Sequence, residues 1–588
     1  MTVSVKDEYF HLLKEWLDAL MSYMLVDPAH PSIDGGILCP ACSVIHGRCH
    51  DAVYPFLCMA DLSNDTKYLE AARKLFQWSG YMVCDDGSLY NDSQSAWNGI
   101  TVFSAISLYN ALHYHGHLLN PEEKNIWEKR LFSMTSWLET NLTQEGKFHI
   151  NYMAANAAAM TLAGLYFNRP SMLGSAKRLA HFACGCISES LLVFGEGSIK
   201  RSATVRGGCA VDIGYNVEET LPSLYTYAKA MGDEAVMETV RKTAKAHLDL
   251  MLPDGAWDNS FGSRNFKWTY WGSRTADGCQ AMLNALGQED PVFAEAAYRN
   301  LQLYKRCTDG LLFGGPDYQF HGELPCVHHT FCHAKVLAQA LDEGITEFSR
   351  ARIPSDCPEP LKYYPEIETY RLACGDWRMT VCAGDFEYRK GGHASGGAMT
   401  LLWHRDYGPV FAAANPEYSL HEPNNQQLTR KKSLQGSLCP RLERKENGTV
   451  YSQVYDFSAI LRAETLPDQV IVSANGSLRD ITHHISAAED SYSLQYILDK
   501  KKLQIKARMT GKAFMDTSLI LPVICRSDKK LEISRHRIVM DGRLCVTSLT
   551  ALTYKGTVFN LSPGFEAANL FVTPDEEGVF EISIAFLP

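Results

Sequence analysis

Helical stretches alternate with short polar breaks through residues 1–350, always in the same order. A helical stretch leads into an acidic residue followed by glycine, then into an irregular loop and a second helical stretch rich in Ala, Leu and Tyr. Successive turns lie roughly 50 to 60 residues apart, a period typical of an array of supersecondary units. The pattern predicts six helical hairpins arranged as an (α/α)6 toroid around one central cavity. The turns are Asp34-Gly35, Asp86-Gly87, Glu145-Gly146, Glu196-Gly197, Asp254-Gly255 and Asp309-Gly310.

Each hairpin is predicted to contribute one outer and one inner helix. The outer stretch at Pro291 opens with a proline, which suits a first helical position. The inner stretch at residues 151–167 is rich in alanine, which lets neighbouring helix backbones approach closely. The outer helices are predicted to begin near Asp7, Thr66, Pro121, Ser171, Asp233 and Pro291, and the inner helices near Arg48, Ala96, Asn151, Tyr215, Arg274 and His328.

The helical pattern fades between residues 346 and 360, where Pro354, Pro358 and Pro360 interrupt the chain. Strand-like alternation follows, at residues 450–461, 470–478 and 579–587, with turn signals between the runs. One hairpin is predicted from residues 531–540 and 543–549 around Asp541-Gly542, and Asn447-Gly448 and Asn475-Gly476 are further turn signals. We therefore expect an α+β multidomain protein, with a toroid over residues 1–350 and an antiparallel β-sandwich over residues 351–588.

Composition and charge narrow the classes of protein. The chain has 588 residues, 46% of them hydrophobic, and a mean hydropathy of −0.18. Its apolar runs are shorter than a transmembrane helix requires, so no membrane partner is expected. The net charge of −11 argues against nucleic acid as a partner. The first residues resemble an amphipathic helix rather than a secretory signal, which favours a cytoplasmic protein, or an exported one after removal of its signal. The sequence leaves the oligomeric state open, with a homo-oligomer as one alternative.

The 18 cysteines are scattered, many at apolar helical positions, as in a reduced intracellular protein. Cys39 and Cys42 form a CxxC, with His46 and Cys49 close behind, a group that suits zinc or a redox pair. A second CxxC with zinc-finger spacing does not occur in the sequence, so a structural role is favoured. His329 and His333 have i, i+4 spacing without an HExxH pattern. We therefore predict no metal site.

The loops before the inner helices collect aromatic, amide, acidic and basic residues, as a carbohydrate cavity requires. Aromatic faces pack on sugar rings, amides and carboxylates bind hydroxyl groups, and arginine binds a carboxylate through two parallel hydrogen bonds. Cations interleaved with the aromatic residues of 257–274 favour an acidic sugar, although the protein's own acids are an alternative partner for them. The alternative for the aromatic residues themselves is a place in the core between helix ends. The predicted substrate-binding residues are His46, Arg48, Asn151, Tyr152, Asn156, Glu196, Arg201, Tyr215, Asn216, Asp258, Asn259, Arg264, Lys267, Trp268, Tyr270, Trp271, Arg274, His328 and His329.

Glu218 and Glu219 are the first candidates for acid–base catalysis. Adjacent residues of a helix point about 100° apart, so one of them at most is expected to face the cavity. Glycoside hydrolysis requires a second carboxylate across the sugar. The candidates are Asp51, Glu196, Asp258 and Asp277, and of these Asp51 and Asp277 are the predicted catalytic residues. An acidic pair in a first helical turn also occurs as ordinary surface that complements the helix dipole.

A second reaction type fits other residues at the starts of the predicted inner helices. A polysaccharide lyase neutralises a uronate carboxylate and abstracts the C5 proton, roles that Asn151 and either Tyr152 or His149 suit. A third interpretation is a carbohydrate-binding toroid without catalysis.

Four segments carry a resemblance to a known family: residues 42–57, 149–160, 212–233 and 267–283. They resemble glycoside hydrolase family 154, the β-glucuronidases. The resemblance implies release of terminal β-linked glucuronic acid without a cofactor. Lyases with the same architecture, heparinase II/III-like among them, are the alternative. In such lyases a sandwich loop reaches the cavity, which at residues 391–408 would bring in His393 or His404. For this stretch, however, plain strand and hairpin structure is the favoured interpretation.

Overall fold

The structure is a computed structural model. It describes residues 2–93, 95–345, 347–413, 415–416, 418–419, 421–422, 426–430, 432–512 and 514–587, apart from the side chains of residues 2, 3 and 433.

The helices of the first domain form six hairpins in a closed ring. The outer helices are amphipathic, whereas most residues of the inner helices are buried. Each inner helix contacts the next one, and the last returns to the first, which confirms the predicted (α/α)6 toroid. The outer helices are α1 (Lys6–Ser22), α3 (Thr66–Ser79), α5 (Pro121–Asn141), α7 (Pro170–Cys184), α10 (Glu234–His247) and α12 (Pro291–Arg306). The inner helices are α2 (Val53–Ser63), α4 (Thr101–His115), α6 (Ile150–Tyr166), α8 (Ile213–Tyr215) continued by α9 (Leu221–Met231), α11 (Gln280–Leu286) and α14 (Val327–Asp342), with the short α13 (Tyr318–His321) before the last.

Local signals explain where these helices begin and turn. Asn120 caps α5 by accepting hydrogen bonds from the backbone of Glu122 and Glu123, and the Glu123 side chain bonds back to the Asn120 backbone. Asp233 caps α10 in the same way through Val236. In the Asp254-Gly255 turn the glycine has φ of 92°, and a Cβ there would collide with the backbone of Arg299.

The second domain is an antiparallel β-sandwich built from three sheets, as predicted. The first sheet has the order β11-β10-β9-β8-β7, the second β13-β12-β18-β23-β22, and the third β14-β15-β16-β17-β24-β21-β20-β19. A hydrophobic core lies between the sheets. The strands are β7 (Leu361–Tyr364), β8 (Thr369–Cys374), β9 (Trp377–Cys382), β10 (Ala398–His404), β11 (Gly408–Ala412), β12 (Arg441–Glu446), β13 (Thr449–Ser452), β14 (Ile460–Leu466), β15 (Gln469–Ser477), β16 (Ser491–Asp499), β17 (Lys502–Thr510), β18 (Ser518–Ile524), β19 (Leu531–Ser534), β20 (Arg537–Met540), β21 (Leu544–Ser548), β22 (Leu552–Asn560), β23 (Phe565–Val572) and β24 (Val579–Phe586).

In the described part of the chain, six short strands lie outside the sandwich. β1 (Thr2–Ser4) pairs with β6 (Glu347–Ser349), so the start of the chain meets the segment that leaves the last helix. β2 (Trp268–Thr269) pairs with β3 (Gly272–Ser273), and β4 (Thr308–Asp309) pairs with β5 (Leu311–Leu312). Among the described helices, none combines the length and apolarity needed to cross a membrane.

One predicted strand and one predicted turn differ in the structure. Residues 531–540 are not one strand but the hairpin β19–β20, and Asp541-Gly542 then joins β20 to β21. Asn475-Gly476 is not a turn, because both residues pair within β15. Asn447-Gly448 does join two paired strands, β12 and β13. The wrong prediction at Asn475-Gly476 arises because a turn-forming dipeptide also fits an extended strand when both neighbouring strands satisfy its backbone.

The two domains contact each other through buried polar bonds. Thr380 of the sandwich donates to Asp258 of the toroid over 2.6 Å, and Ser562 donates to the carbonyl of Trp268 over 2.9 Å. These bonds fix the sandwich against the loop at residues 257–274. Side chains of the second domain thereby reach the mouth of the toroid.

Candidate active site

A cleft of about 310 Å³ opens where the loops before the inner helices converge. A larger concavity of about 710 Å³ lies on the sandwich, but the smaller cleft holds the residues suited to proton transfer. Its lining residues are Arg48, Asn91, Ser95, Trp97, Ile100, Phe103, Lys147, Phe148, His149, Asn151, Tyr152, Tyr215, Glu219, Arg264, Lys267, Thr275, His328, Tyr388 and Glu422.

Asn151 and Glu219 form a hydrogen-bonded pair in this cleft. The Asn151 amide, in the first turn of α6, donates to Glu219 Oε2 over 2.6 Å. Glu219 lies in a π-helical turn, Asn216–Thr220, between α8 and α9. Such turns are frequent at functional sites. Burial, together with the charge of Asp277, raises the pKa of Glu219 to about 8, so its carboxyl group is protonated at neutral pH and Oε1 is available as a hydrogen-bond donor.

Glu196 holds three parts of the cleft together. One carboxylate oxygen accepts a hydrogen bond from the backbone of Asn151 over 3.1 Å. The other accepts from Arg264 over 3.1 Å and lies 3.4 Å from His149 Nδ1. Burial opposes ionisation, but the hydrogen bond with His149 and the charge of Arg264 keep the pKa of Glu196 below its ordinary value. Glu196 is therefore an ionised carboxylate that positions a histidine, an arginine and the start of α6.

Tyr215 lies between two cations. Its hydroxyl accepts a hydrogen bond from Lys267 over 3.1 Å and is 2.6 Å from the Thr275 hydroxyl, while the Arg264 guanidinium lies 4.6 Å from the ring centre. Burial raises the pKa of Tyr215 well above its ordinary value, although Arg264 acts in the opposite direction. Burial and the charge of Arg264 lower the pKa of Lys267 to about 8. The Tyr215 hydroxyl is therefore protonated, and Lys267 is placed to stabilise the tyrosinate that would form on loss of the proton.

Asp212 explains why Tyr215 and Arg264 meet. It caps α8 by accepting from the Tyr215 backbone over 3.2 Å, and its other oxygen accepts from the Arg264 backbone over 3.0 Å. Arg264 also donates twice to Glu422, at 3.0 and 3.2 Å, and Lys267 is 2.6 Å from the same carboxylate. The sandwich therefore closes one side of the cleft with an acid.

Arg48 heads a second ion network beneath the cleft. Its guanidinium contacts Asp51 at 3.0 Å and Asp277 at 2.5 Å, and Lys335 lies 2.8 Å from both acids. Although burial opposes it, the charges of Lys335 and Arg48 lower the pKa of Asp51 to about 2. Asp51 and Asp277 are therefore occupied by cations of the protein and are poorly suited to the predicted role of proton donor.

Glu218 points away from its neighbour Glu219. Its carboxylate accepts a hydrogen bond from the Ser273 backbone over 2.8 Å and lies 3.5 Å from His333, in the core between the inner helices. The prediction that at most one of the two acids faces the cavity agrees with this placement. The catalytic role predicted for Glu218 does not, because the carboxylate is fully buried outside the cleft.

The predicted aromatic surface is part of the core. Trp268, Tyr270 and Trp271 are buried, and each polar tip has a partner inside the protein. Trp268 donates to the carbonyl of Trp257, and Trp271 donates to that of Phe313. These rings support the loop that carries Arg264 and Lys267.

Other predicted binding residues also lie outside the cleft. Asn156 and Asn216 donate to backbone carbonyls. Asp258 accepts a hydrogen bond from Thr380 of the sandwich, and Asn259 donates one to Asp212. Arg201 is exposed and donates to the carbonyl of Ile187. His46, Arg274 and His329 lie around a cavity of about 20 Å³ behind His328. The predicted residues that do line the cleft are Arg48, Asn151, Tyr152, Tyr215, Glu219, Arg264, Lys267 and His328.

The sequence analysis missed Tyr388 and Glu422, which come from the sandwich, and Lys335, which comes from α14. Nothing in their local sequence marks them, since each acts through a contact with a distant segment. The two histidines considered in residues 391–408 do not line the cleft. His393 is buried beside Cys382, and His404 stacks on Phe586. Trp97 and His149 had a local signal, because Trp97 lies at the predicted start of the second inner helix and His149 just before the third, and His149 was already a candidate for the base of a lyase.

The fold and the cleft place the protein among those that join an (α/α)6 toroid to an antiparallel β-sandwich. Residues 13–355 match the ulvan lyase N-terminal domain and residues 361–587 the ulvan lyase C-terminal domain. A broad-specificity ulvan lyase from Formosa agariphila is 35% identical over 596 aligned residues, covering 97% of this chain and 93% of that protein. The chain belongs to the ulvan lyase family.

Among solved structures, the chondroitin AC lyase of Streptomyces coelicolor A3, in complex with chondroitin sulphate, is similar with a TM-score of 0.53. It is 10% identical, and the match covers 99% of this chain and 79% of that one. At this identity the likeness shows the fold alone. The family match corrects the sequence analysis: the resemblance to glycoside hydrolase family 154 is wrong, as is the hydrolase activity that it implied.

Proposed function

We propose that this protein is a polysaccharide lyase that cleaves an acidic, uronate-containing polysaccharide by β-elimination. Its family membership supports the reaction class, and the curated relative makes ulvan the first polysaccharide to test. The observation that carries the assignment is the Asn151–Glu219 pair, a neutral amide joined to a carboxyl group whose pKa is raised to about 8. Two neutral donors stabilise a negative charge that develops on a uronate carboxyl group.

The unpartnered atoms of this pair support the placement of the substrate. Among the described residues, Glu219 Oε1 and Asn151 Oδ1 are buried without a hydrogen-bond partner. Buried polar atoms of this kind are uncommon in folded proteins, and a substrate in the cleft would supply an acceptor for the protonated Oε1 and a donor, such as a hydroxyl group, for Oδ1. Because Oε2 of Glu219 accepts from Asn151, the proton of the neutral acid belongs on Oε1. It is then free to bind the uronate carboxyl group.

His149 and Tyr215 complete the elimination. His149 Nδ1 lies 3.4 Å from ionised Glu196 and 3.4 Å from the Arg264 guanidinium. The tautomer that serves the reaction carries its proton on Nδ1, bonded to Glu196, and leaves Nε2 free to accept one. His149 Nε2 takes the C5 proton, the C5–H electron pair forms the C4=C5 double bond, and the C4–O bond breaks towards the departing oxygen. Tyr215 gives its proton to that oxygen, and Lys267 stabilises the tyrosinate formed. Water is not consumed.

The test is to incubate the purified protein with ulvan and follow the ultraviolet absorbance of an unsaturated uronide. We expect absorbance to rise, and the product masses to sum to the substrate mass without added water. A chromogenic β-glucuronide is the parallel substrate. Free uronic acid without the absorbance would establish hydrolysis instead, and binding of the polysaccharide without either product would establish a non-catalytic toroid.

A further inference from the structure

Four potential metal ligands meet behind the cleft: Cys39, Cys42, His46 and Cys326. Their ligand atoms all lie within 4.8 Å of one another. Cys39 Sγ is 3.6 Å from Cys326 Sγ, and Cys42 Sγ is 3.8 Å from it. Three of the four residues are buried, and Cys42 is partly buried. We propose that these side chains bind one zinc ion in a structural site of the Cys3His type.

The sulfur separations fit a tetrahedral zinc centre. With zinc–sulfur bonds of about 2.3 Å, two ligands of a regular tetrahedron lie about 3.8 Å apart. A disulfide would require the two sulfurs to approach to about 2.05 Å, and all 18 cysteines are free thiols in the structure. Thiolate and imidazole together are the donors that zinc prefers over calcium or magnesium.

His46 is oriented as a metal ligand. Its Nδ1 lies 3.2 Å from a carboxylate oxygen of Asp92. Its Nε2 is buried and has no hydrogen-bond partner in the described part of the chain. Metal-binding histidines commonly pair their second nitrogen with a carboxylate, which fixes the ring and leaves the first nitrogen for the ion. The Asp92–His46 pair has this arrangement.

The backbone folds the first three ligands into one tight loop. Cys39 N donates to Val44 O over 2.9 Å, and Ser43 N donates to Cys39 O over 2.8 Å. Ser43, just after the second cysteine, adopts a positive φ of 57° to close this turn. The C-x2-C-x3-H spacing therefore directs two sulfurs and one imidazole to the same side. This loop supplies three ligands, and the fourth comes from elsewhere in the fold.

Cys326 supplies that fourth ligand and gives the site its structural role. It caps α14, the last inner helix, and lies 284 residues from Cys42 in the sequence. The ion would join the loop before the first inner helix to the start of the last one, at the seam where the toroid closes. The His46 ring also lies 5.3 Å from that of His328, which lines the cleft. Four protein ligands leave no open position, as in structural rather than catalytic zinc sites.

The first measurement is elemental analysis of the full-length protein after dialysis against metal-free buffer. We expect about one zinc ion per chain, as four protein ligands around one ion predict. Cys42→Ser and Cys326→Ser should each lose the zinc. Cys49→Ala is the matched control, because Cys49 is a buried cysteine of the same segment whose thiol faces the Ile37 carbonyl rather than the cluster. It should retain the zinc.

A second measurement does not depend on how the variants fold. The wild-type protein, reduced, stripped with a chelator and reconstituted with cobalt(II), should show the thiolate charge-transfer and visible absorption of a tetrahedral cobalt centre. Its melting temperature should fall on stripping and recover with zinc. The proposal is overturned if wild-type protein holds only background zinc and gives no cobalt spectrum, if Cys49→Ala loses metal as Cys42→Ser does, or if thiol titration finds the cluster oxidised to a disulfide.

Discussion

The side-chain amide of Asn151 donates a 2.6 Å hydrogen bond to the carboxyl group of Glu219. The two residues belong to different inner helices, and their contact places two neutral donors in the cleft. The arrangement depends on protonation of Glu219, because a carboxylate there would repel a uronate. Substitutions can therefore test whether both members of the pair must be neutral donors, and the pH dependence of activity can test the protonation of Glu219.

Replacing Asn151 should remove activity without unfolding the protein. Asn151→Ala loses the donor to the substrate carboxyl group, and we expect kcat/KM to fall roughly 100-fold to 1,000-fold, as when one oxyanion donor is removed. Initial rates on ulvan measure the effect. Asn151→Asp keeps the shape but adds an acid beside Glu219 and should be at least as inactive. A melting temperature near the wild-type value shows that the fold is intact, whereas near-normal rates in both variants would exclude Asn151.

The neighbouring acids Glu219 and Glu218 should respond differently to substitution. Glu219→Gln retains a neutral donor, so we expect measurable lyase activity, while Glu219→Ala should lose it. Glu218→Gln is the matched control: its carboxylate bonds to the Ser273 backbone in the core, so the melting temperature should fall and kcat per folded molecule should change little. If Glu219→Gln is inactive and Glu219→Ala is not worse, neutral donation is not the role of this residue.

Activity should decline as the pH rises through about 8, the value to which burial and Asp277 raise the pKa of Glu219. The sign follows from the chemistry: below this pH the acid is neutral and donates, and above it a carboxylate repels the substrate. Glu219→Gln has no proton to lose, so its profile should extend to higher pH. A full kcat/KM profile for both proteins measures the difference.

Lys267 is the second group that changes charge in that range, since burial and Arg264 lower its pKa to about 8. Lys267→Arg keeps the positive charge at high pH and should move the remaining alkaline decline upwards, with the largest effect when combined with Glu219→Gln. An unchanged decline in the double variant would assign it to another group.

Tyr215→Phe should lower kcat roughly 100-fold to 10,000-fold, the range for loss of a general acid. Tyr152→Phe is the matched control. Tyr152 lines the same cleft, but its hydroxyl accepts from Trp97 rather than contacting Lys267. Its effect should appear mainly in KM. Equal losses of kcat in both variants would contradict the assignment of Tyr215.

Glu422→Gln should strengthen the binding of an acidic polysaccharide. The carboxylate of Glu422 lies against both Arg264 and Lys267, so its loss leaves an additional net positive charge in the cleft. We expect KM to fall at low ionic strength, and the difference to shrink as salt screens the charge. A higher KM at every salt concentration would show that Glu422 holds the cations in place instead.

The sequence by itself determined the two-domain architecture, because its signals are local. Helical periodicity, caps such as Asn120 and Asp233, and positive-φ glycines such as Gly255 act within a few residues of one another. The same local reasoning indicated that Glu218 and Glu219 point in different directions, but it left open which of them faces the cleft.

Only the tertiary structure decided that choice, since it depends on partners from other repeats: Ser273 and His333 hold Glu218 in the core, while Asn151 meets Glu219 in the cleft. Trp268 and Trp271 have the same local signature whether they face a sugar or a core. Arg264 finds its anions in Glu196 and in Glu422 of the other domain, and Cys326 joins a CxxC far away in the chain. Contacts between distant segments depend on how whole elements pack, and the local sequence carries no record of that packing.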